Sequence, residues 1–145
     1  MVSFNKKLRI YPDKYPDNVE VKEKIWFLAK GYSGITLRLW PIANKIFIRK
    51  YTSFGRLRYK KRIWDIIDHE NIHWKQQIEL PYIFYIVYAI EWIFKSIKYF
   101  NIKDGYRNIS FEREAFYHEK NSEKYLKTRK PYAWLKYIFK DPFKK

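Results

Sequence analysis

The chain has 145 residues, 47% of them hydrophobic and 21% aromatic, which supplies the core of one folded domain and argues against disorder over most of its length. It has no cysteine, so a disulfide framework and a cysteine-ligated metal site are excluded, and any metal must be held by His, Asp or Glu. The formal net charge of +16 points to an acidic protein partner or an anionic membrane surface, and no nucleic-acid-binding motif accompanies it.

Taken in chain order, residues 1–20 carry Pro12 and Pro16 among alternating charges and read as an extended arm. The first residues lack the apolar stretch of a signal peptide, so a cytoplasmic location is the default expectation. Residues 21–62 are strand-like. Ile25 to Ala29 is a short apolar run, Gly31 to Gly34 a turn, Ile35 to Trp40 a partly alternating run, and Lys45 to Arg49 a further strand after a break at Pro41 to Asn44. These signals predict a small antiparallel sheet.

From Arg62 the period changes. Ile63, Ile66, Ile67 and Trp74 fall at helical spacing and predict a helix over 62–79, with Trp64 and Trp74 in the core. Pro81 restarts the chain, and 82–100 reads as a second, very apolar helix. Glu91 and Lys95 interrupt it, whereas a membrane-spanning helix needs about 20 apolar residues. A buried or interfacial helix is the expectation, and its Tyr and Trp with flanking lysines leave attachment to a membrane surface open. After a loop at Asn101 to Gly105, a third helix runs from Tyr106 or Ser110 to Thr128, with Ser110 as its N-cap and Glu112 and Glu114 in its first turn. The predicted organisation is an arm over 1–20, a single α+β domain over 21–130, and a basic aromatic tail over 131–145.

Two of the three histidines lie in His69-Glu70-Asn71-Ile72-His73. On a helix, positions i and i+4 share a face, so both imidazoles reach one ion. Glu70 sits beside them, where a carboxylate takes a proton from a water that zinc has acidified. A catalytic zinc takes three protein ligands and keeps one open position, so a third ligand is required downstream.

There the chain reads Phe111-Glu112-Arg113-Glu114-Ala115. An HExxH helix followed by a Glu-x-x-Ala helix resembles the small gluzincin metallopeptidases, the minigluzincins, over roughly residues 25–128. The stretch from His69 to Gln77, taken with Phe111 to Ala115, is also similar to small proteins of Bacteroides-type bacteria and their phages. The resemblance implies a small antiparallel sheet followed by a three-helix zincin-like core. It also implies a zinc ion held by His69, His73 and Glu112, Glu70 as general base, and a peptide or protein substrate. Glu114 is the alternative third ligand. The gluzincin pattern places an Asp four residues after the ligand Glu, where it buttresses a ligand histidine. Here that position is Phe116, and the resemblance leaves Asp65 or Asn108, one turn before His69 and Glu112, to take the role.

Other polar residues near the motif are weaker candidates. Tyr106, Arg107, Tyr117 and His118 are possible donors to a developing oxyanion; His118 lies off the Glu112 face and reads as an ordinary histidine. Gln76 and Gln77 are expected to cap and solvate the end of the first helix. Residues 35–40 are a candidate edge along which a substrate strand adds. The alternative to a peptidase is a non-catalytic structural or binding protein on the same scaffold.

Overall fold

The computed structural model describes residues 20–22, 34–39, 43–48 and 56–140, with side chains over 35–38 and 65–140. Most of the expected N-terminal arm, the apolar run at Ile25 to Ala29, the Trp64 side chain and the last five residues lie outside these. Within them the protein is a small, helix-rich domain.

Three short strands, β1 (Glu20–Lys22), β2 (Gly34–Leu39) and β3 (Ala43–Ile48), form a sheet in the order β1-β3-β2. β2 pairs antiparallel with β3 as the sequence predicts, but β1 pairs parallel with β3, so the sheet is mixed rather than antiparallel. Local alternation predicts a hairpin between neighbours; it carries no information about the return of a distant strand.

Helix α1 (Arg56–Glu79) starts six residues before the predicted 62. Its middle is buried on every side: residues 69–74 are all enclosed, by β2 on one flank and by the later helices on the others. Trp74 is in the core as expected. The polar residues of this stretch are buried too, which is why a simple apolar stripe was not visible there.

Pro81 ends α1. Tyr82 takes a left-handed conformation (φ 65°), and α2 (Ile83–Tyr99) leaves at 114° to the second part of α1. The inner side of α2 supplies Phe84, which packs with Ile109, Phe111 and Trp134 into an aromatic core. The Phe84–Phe111 and Phe111–Trp134 ring centroids are 4.8 and 4.4 Å apart, in the range of favourable aromatic pairs. Phe100 closes α2 as a left-handed cap (φ 50°), and its N–H returns to Ile97 and Ser96.

The single third helix of the sequence reading is divided. α3 (Ile102–Arg107) is capped by the Asn101 side chain. It packs so closely on α2 that a Cβ on Gly105 would lie 2.2 Å from Ser96 Oγ and 2.5 Å from its Cα, so only glycine fits. α4 (Ser110–His118) follows, then a 3-10 turn (Glu119–Asn121) and α5 (Ser122–Thr128). Ser110 is not the N-cap; Ile109 is. The N–H and hydroxyl of Ser110 instead donate to Glu91, at 2.9 and 2.6 Å. The acid that breaks the apolar run of α2 therefore caps α4 across the core, where a carboxylate also suits the helix dipole. The described part of the expected tail is docked: a 3-10 turn (Ala133–Tyr137) buries Trp134 and Tyr137, and Arg113 donates to the carbonyls of Tyr137 and Lys140. Among the described residues no single helix is long and apolar enough to cross a membrane.

Candidate metal centre

His69 and His73 project from one face of α1 toward Glu112 on α4, and all three side chains are buried. His69 Nε2 lies 3.2 Å from Glu112 Oε2, His73 Nε2 lies 3.1 Å from Glu112 Oε1, and the two Nε2 atoms are 3.1 Å apart. A tetrahedral zinc with bonds of about 2.0–2.1 Å has ligand-to-ligand edges of about 3.3–3.4 Å. The two ring nitrogens and the Glu112 carboxylate, which turns one oxygen to each imidazole, thus lie at separations close to those edges.

The outer ring nitrogens decide what the inner ones offer. Gln76 Nε2 donates to the Phe111 carbonyl and to Glu114 Oε2, each at 3.1 Å. That orientation turns Gln76 Oε1, an acceptor only, toward His73 Nδ1 at 2.7 Å. His69 Nδ1 meets the Glu119 carboxylate at 3.1 Å. Both Nδ1 atoms therefore carry the proton, and in the neutral rings both Nε2 atoms present lone pairs. Two imidazole lone pairs and a carboxylate converge with no donor among them, an arrangement that a cation or an added proton satisfies. Burial lowers the His69 pKa, but the bonds to Glu112 and Glu119 outweigh it and push it up to about 10. Burial likewise works against the Glu112 charge, and the two histidines reverse this and hold the carboxyl well below its usual range.

Glu70 lies within electrostatic reach of both histidines and of Glu112, and its carboxylate is held on the β2 side. The Thr36 hydroxyl lies 2.6 Å from Glu70 Oε2 and 3.1 Å from the Glu70 carbonyl. Burial raises the Glu70 pKa, partly offset by His73 and His69. β2 is thus next to the motif, as expected of residues 35–40. Its facing edge is engaged by Gln77, whose Nε2 donates to the Thr36 carbonyl (2.9 Å) and whose Oε1 accepts from the Arg38 N–H (2.9 Å). One side-chain amide here occupies the backbone groups that an added strand would use.

Tyr88 donates to Glu112 Oε1 at 2.7 Å, and Tyr106 is also hydrogen-bonded to Glu112 and to Tyr88. Burial and the Glu112 charge hold both phenols well above the usual tyrosine range. Of the other donor candidates, His118 is bonded to the Tyr137 hydroxyl at 2.8 Å and stacked on Tyr125, while Arg107 and Tyr117 are exposed.

Several expectations change. Glu114 is not beside the histidines; it accepts from Tyr125, Gln76 and Arg129, and Arg129 also pairs with Glu79. Asp65 and Asn108 do not buttress the histidines, because Glu119 and Gln76 hold both Nδ1 atoms; Asn108 instead accepts from Arg113 at 2.6 Å. Phe116, at the position of the gluzincin Asp, packs its ring on His69 with centroids 4.6 Å apart. Gln76 and Gln77 are buried rather than solvating a helix end. Glu119 had a usable signal: seven residues past Glu112, it lies two helical turns on and on the same face. Tyr88 and Thr36 had none, since each reaches the site only through the packing of α2 and β2. Compared with protein-family models, with characterised proteins and with solved structures, the chain matches none.

Proposed function

We propose that this protein is a zinc-dependent metallopeptidase of gluzincin type, with an α+β zincin-like arrangement of sheet, HExxH helix and Glu-bearing helix. One observation carries the proposal: the His69 and His73 Nε2 atoms and the Glu112 carboxylate converge at 3.1–3.2 Å with both outer ring nitrogens already occupied. His69, His73 and Glu112 would hold the ion. Zinc bound there supplies Lewis acidity toward a carbonyl and toward a water. Glu70 is the general base: its buried carboxylate, with a raised pKa, holds a proton more strongly than an exposed one and passes it to the leaving amine. Thr36 fixes the Glu70 carboxylate against β2. Tyr88 and Tyr106 orient Glu112 and place phenol donors beside the reacting centre.

A second reading is favoured by burial: with Glu70 5% and Glu112 2% exposed, an ion held here would be shut off from solvent, as a structural ion in a non-catalytic protein is. The decisive experiment compares the wild type with Glu70→Gln, first by elemental analysis and then on a diverse peptide library. The peptidase reading expects about one zinc per chain in both and a loss of turnover in Glu70→Gln on the order of a hundred- to ten-thousand-fold. Metal in both with no cleavage by the wild type supports the structural-ion reading, and no metal in either overturns both.

A further inference from the structure

The outer face of α2 carries a continuous apolar stripe that the described residues leave uncovered. Ile86, Ile90, Ile93, Phe94 and Ile97 are all exposed, and Phe100 at the end of the helix is 96% exposed. At 100° per residue these helical positions fall within about one-third of the circumference. The opposite side of α2 buries Phe84 in the core and turns Tyr88 to Glu112, so the helix is fully used inward and apolar outward. A lone exposed isoleucine needs no explanation; a stripe of this length does.

What borders the stripe selects its occupant. Lys98 is exposed on α2, and Lys103 and Arg107 are exposed on α3, which packs against it. Ile102, at the turn between the two helices, extends the apolar surface. Near the C-terminal half of α2, Lys95 Nζ donates to the Ile138 carbonyl, which brings the neighbouring exposed Phe139 and Lys140 to the same edge. Against these cations stand Asp104, exposed on α3, and Glu91, which is turned inward to Ser110 and Lys95. Two copies of a chain with net charge +16 meeting through such a face would set like charges together. An anionic surface has the complementary sign. An apolar helix face rimmed by Lys and Arg, with aromatic rings at the boundary, is the pattern of a helix lying in the headgroup region of a bilayer.

We propose that the outer face of α2 and the α2–α3 turn form a docking surface for an anionic lipid bilayer, with Ile93, Phe94, Ile97 and Phe100 entering the acyl boundary and Lys98, Lys103 and Arg107 meeting the headgroups. The proposal does not rest on the metal centre. It places that centre on the inner side of the attached helix, facing away from the lipid.

The test is sedimentation of the full chain with vesicles of phosphatidylcholine containing phosphatidylglycerol, against vesicles of phosphatidylcholine alone. Binding is expected to the anionic vesicles, weaker to the neutral ones, and to fall as salt is raised. Ile93→Ser with Phe94→Ser removes exposed side chains and should leave the circular dichroism spectrum unchanged while lowering affinity on the order of tenfold or more. Lys98→Glu with Lys103→Glu should weaken binding more than the same reversal at the exposed Lys124 and Lys127 of α5. The proposal is overturned if the wild type binds neither vesicle. It is also overturned if the serine pair binds as well as the wild type, which leaves only unspecific charge adsorption. A wild-type dimer in the ultracentrifuge that the serine pair makes monomeric, without vesicle binding, would assign the face to a second copy instead.

Discussion

Glu112 and Glu114 are two residues apart on α4, both fully enclosed, and they face opposite chemistries. Glu114 is met by the Arg129 guanidinium, the Tyr125 hydroxyl and the Gln76 amide, and Arg129 also reaches Glu79. Both carboxylates of that cluster accept from donors of the protein, and its positive charge is Arg129. Glu112 is met by two phenols and by the Nε2 atoms of two imidazoles, which carry no charge unless they bind a proton or a cation. The first cluster is complete as it stands; the second calls for a cation or a proton from outside. Burial alone therefore does not distinguish a structural carboxylate from a ligand. The distinction lies in whether the partners bring a fixed positive charge. The two clusters meet at Gln76, which donates to Glu114 and accepts from His73.

The comparison can be broken by exchanging which carboxylate is removed. Glu114→Ala leaves Arg129 with Glu79 as its remaining carboxylate and the buried Gln76 and Tyr125 donors without an acceptor, and should destabilise the fold by about 1–3 kcal/mol, read as a lowered denaturant midpoint. Zinc binding should survive in the fraction that stays folded. If Glu114→Ala abolishes zinc binding without loss of stability, Glu114 belongs to the metal centre and the contrast fails. Glu112→Ala should do the reverse. Removing one of three ligands should weaken zinc affinity by on the order of a hundred- to a thousandfold, measured by competition with a chromogenic chelator.

Smaller effects sharpen the contrast. Gln76→Ala and Glu119→Ala each remove an outer partner of a ligand histidine and should lower zinc affinity about 10- to 100-fold. Gln76→Ala should also lower thermal stability, because Gln76 serves both clusters; Glu119→Ala should cost less, since Glu119 is partly exposed. Equal stability losses in the two variants would argue against the link through Gln76. The smallest change is expected at the exposed pair of Glu123 and Lys127 on α5, where Lys127→Ala should cost less than about 0.5 kcal/mol in a denaturant titration. A cost there comparable to that of Glu114→Ala would mean that burial does not set the strength of these ion pairs.

The sequence made much of this centre legible, because its parts obey short-range rules. His69 and His73 share a helix face by spacing alone, and Glu70 is fixed beside them by the same periodicity. The choice of Glu112 over Glu114 came from a resemblance, and the structure places Glu112, not Glu114, against the histidines. The helical spans at 56–79 and 83–99 were foreseen to within a few residues at most ends, because Pro81 and the change of period mark them. Ser110 was misassigned for the opposite reason. Its partner Glu91 is 19 residues away on another helix, and no local pattern carries that contact.

By itself, then, the sequence determined which residues occupy which face of α1 and α4, since backbone periodicity dictates it. Only the tertiary structure decided which faces meet. It set the Gln76 and Glu119 acceptors against the histidine Nδ1 atoms, brought Thr36 to Glu70 and Tyr88 to Glu112, and left the apolar stripe of α2 outside the core. The physical reason is one of range: periodicity fixes the direction of a side chain within its own element, whereas a hydrogen bond of about 3 Å exists only after packing has brought two distant elements together.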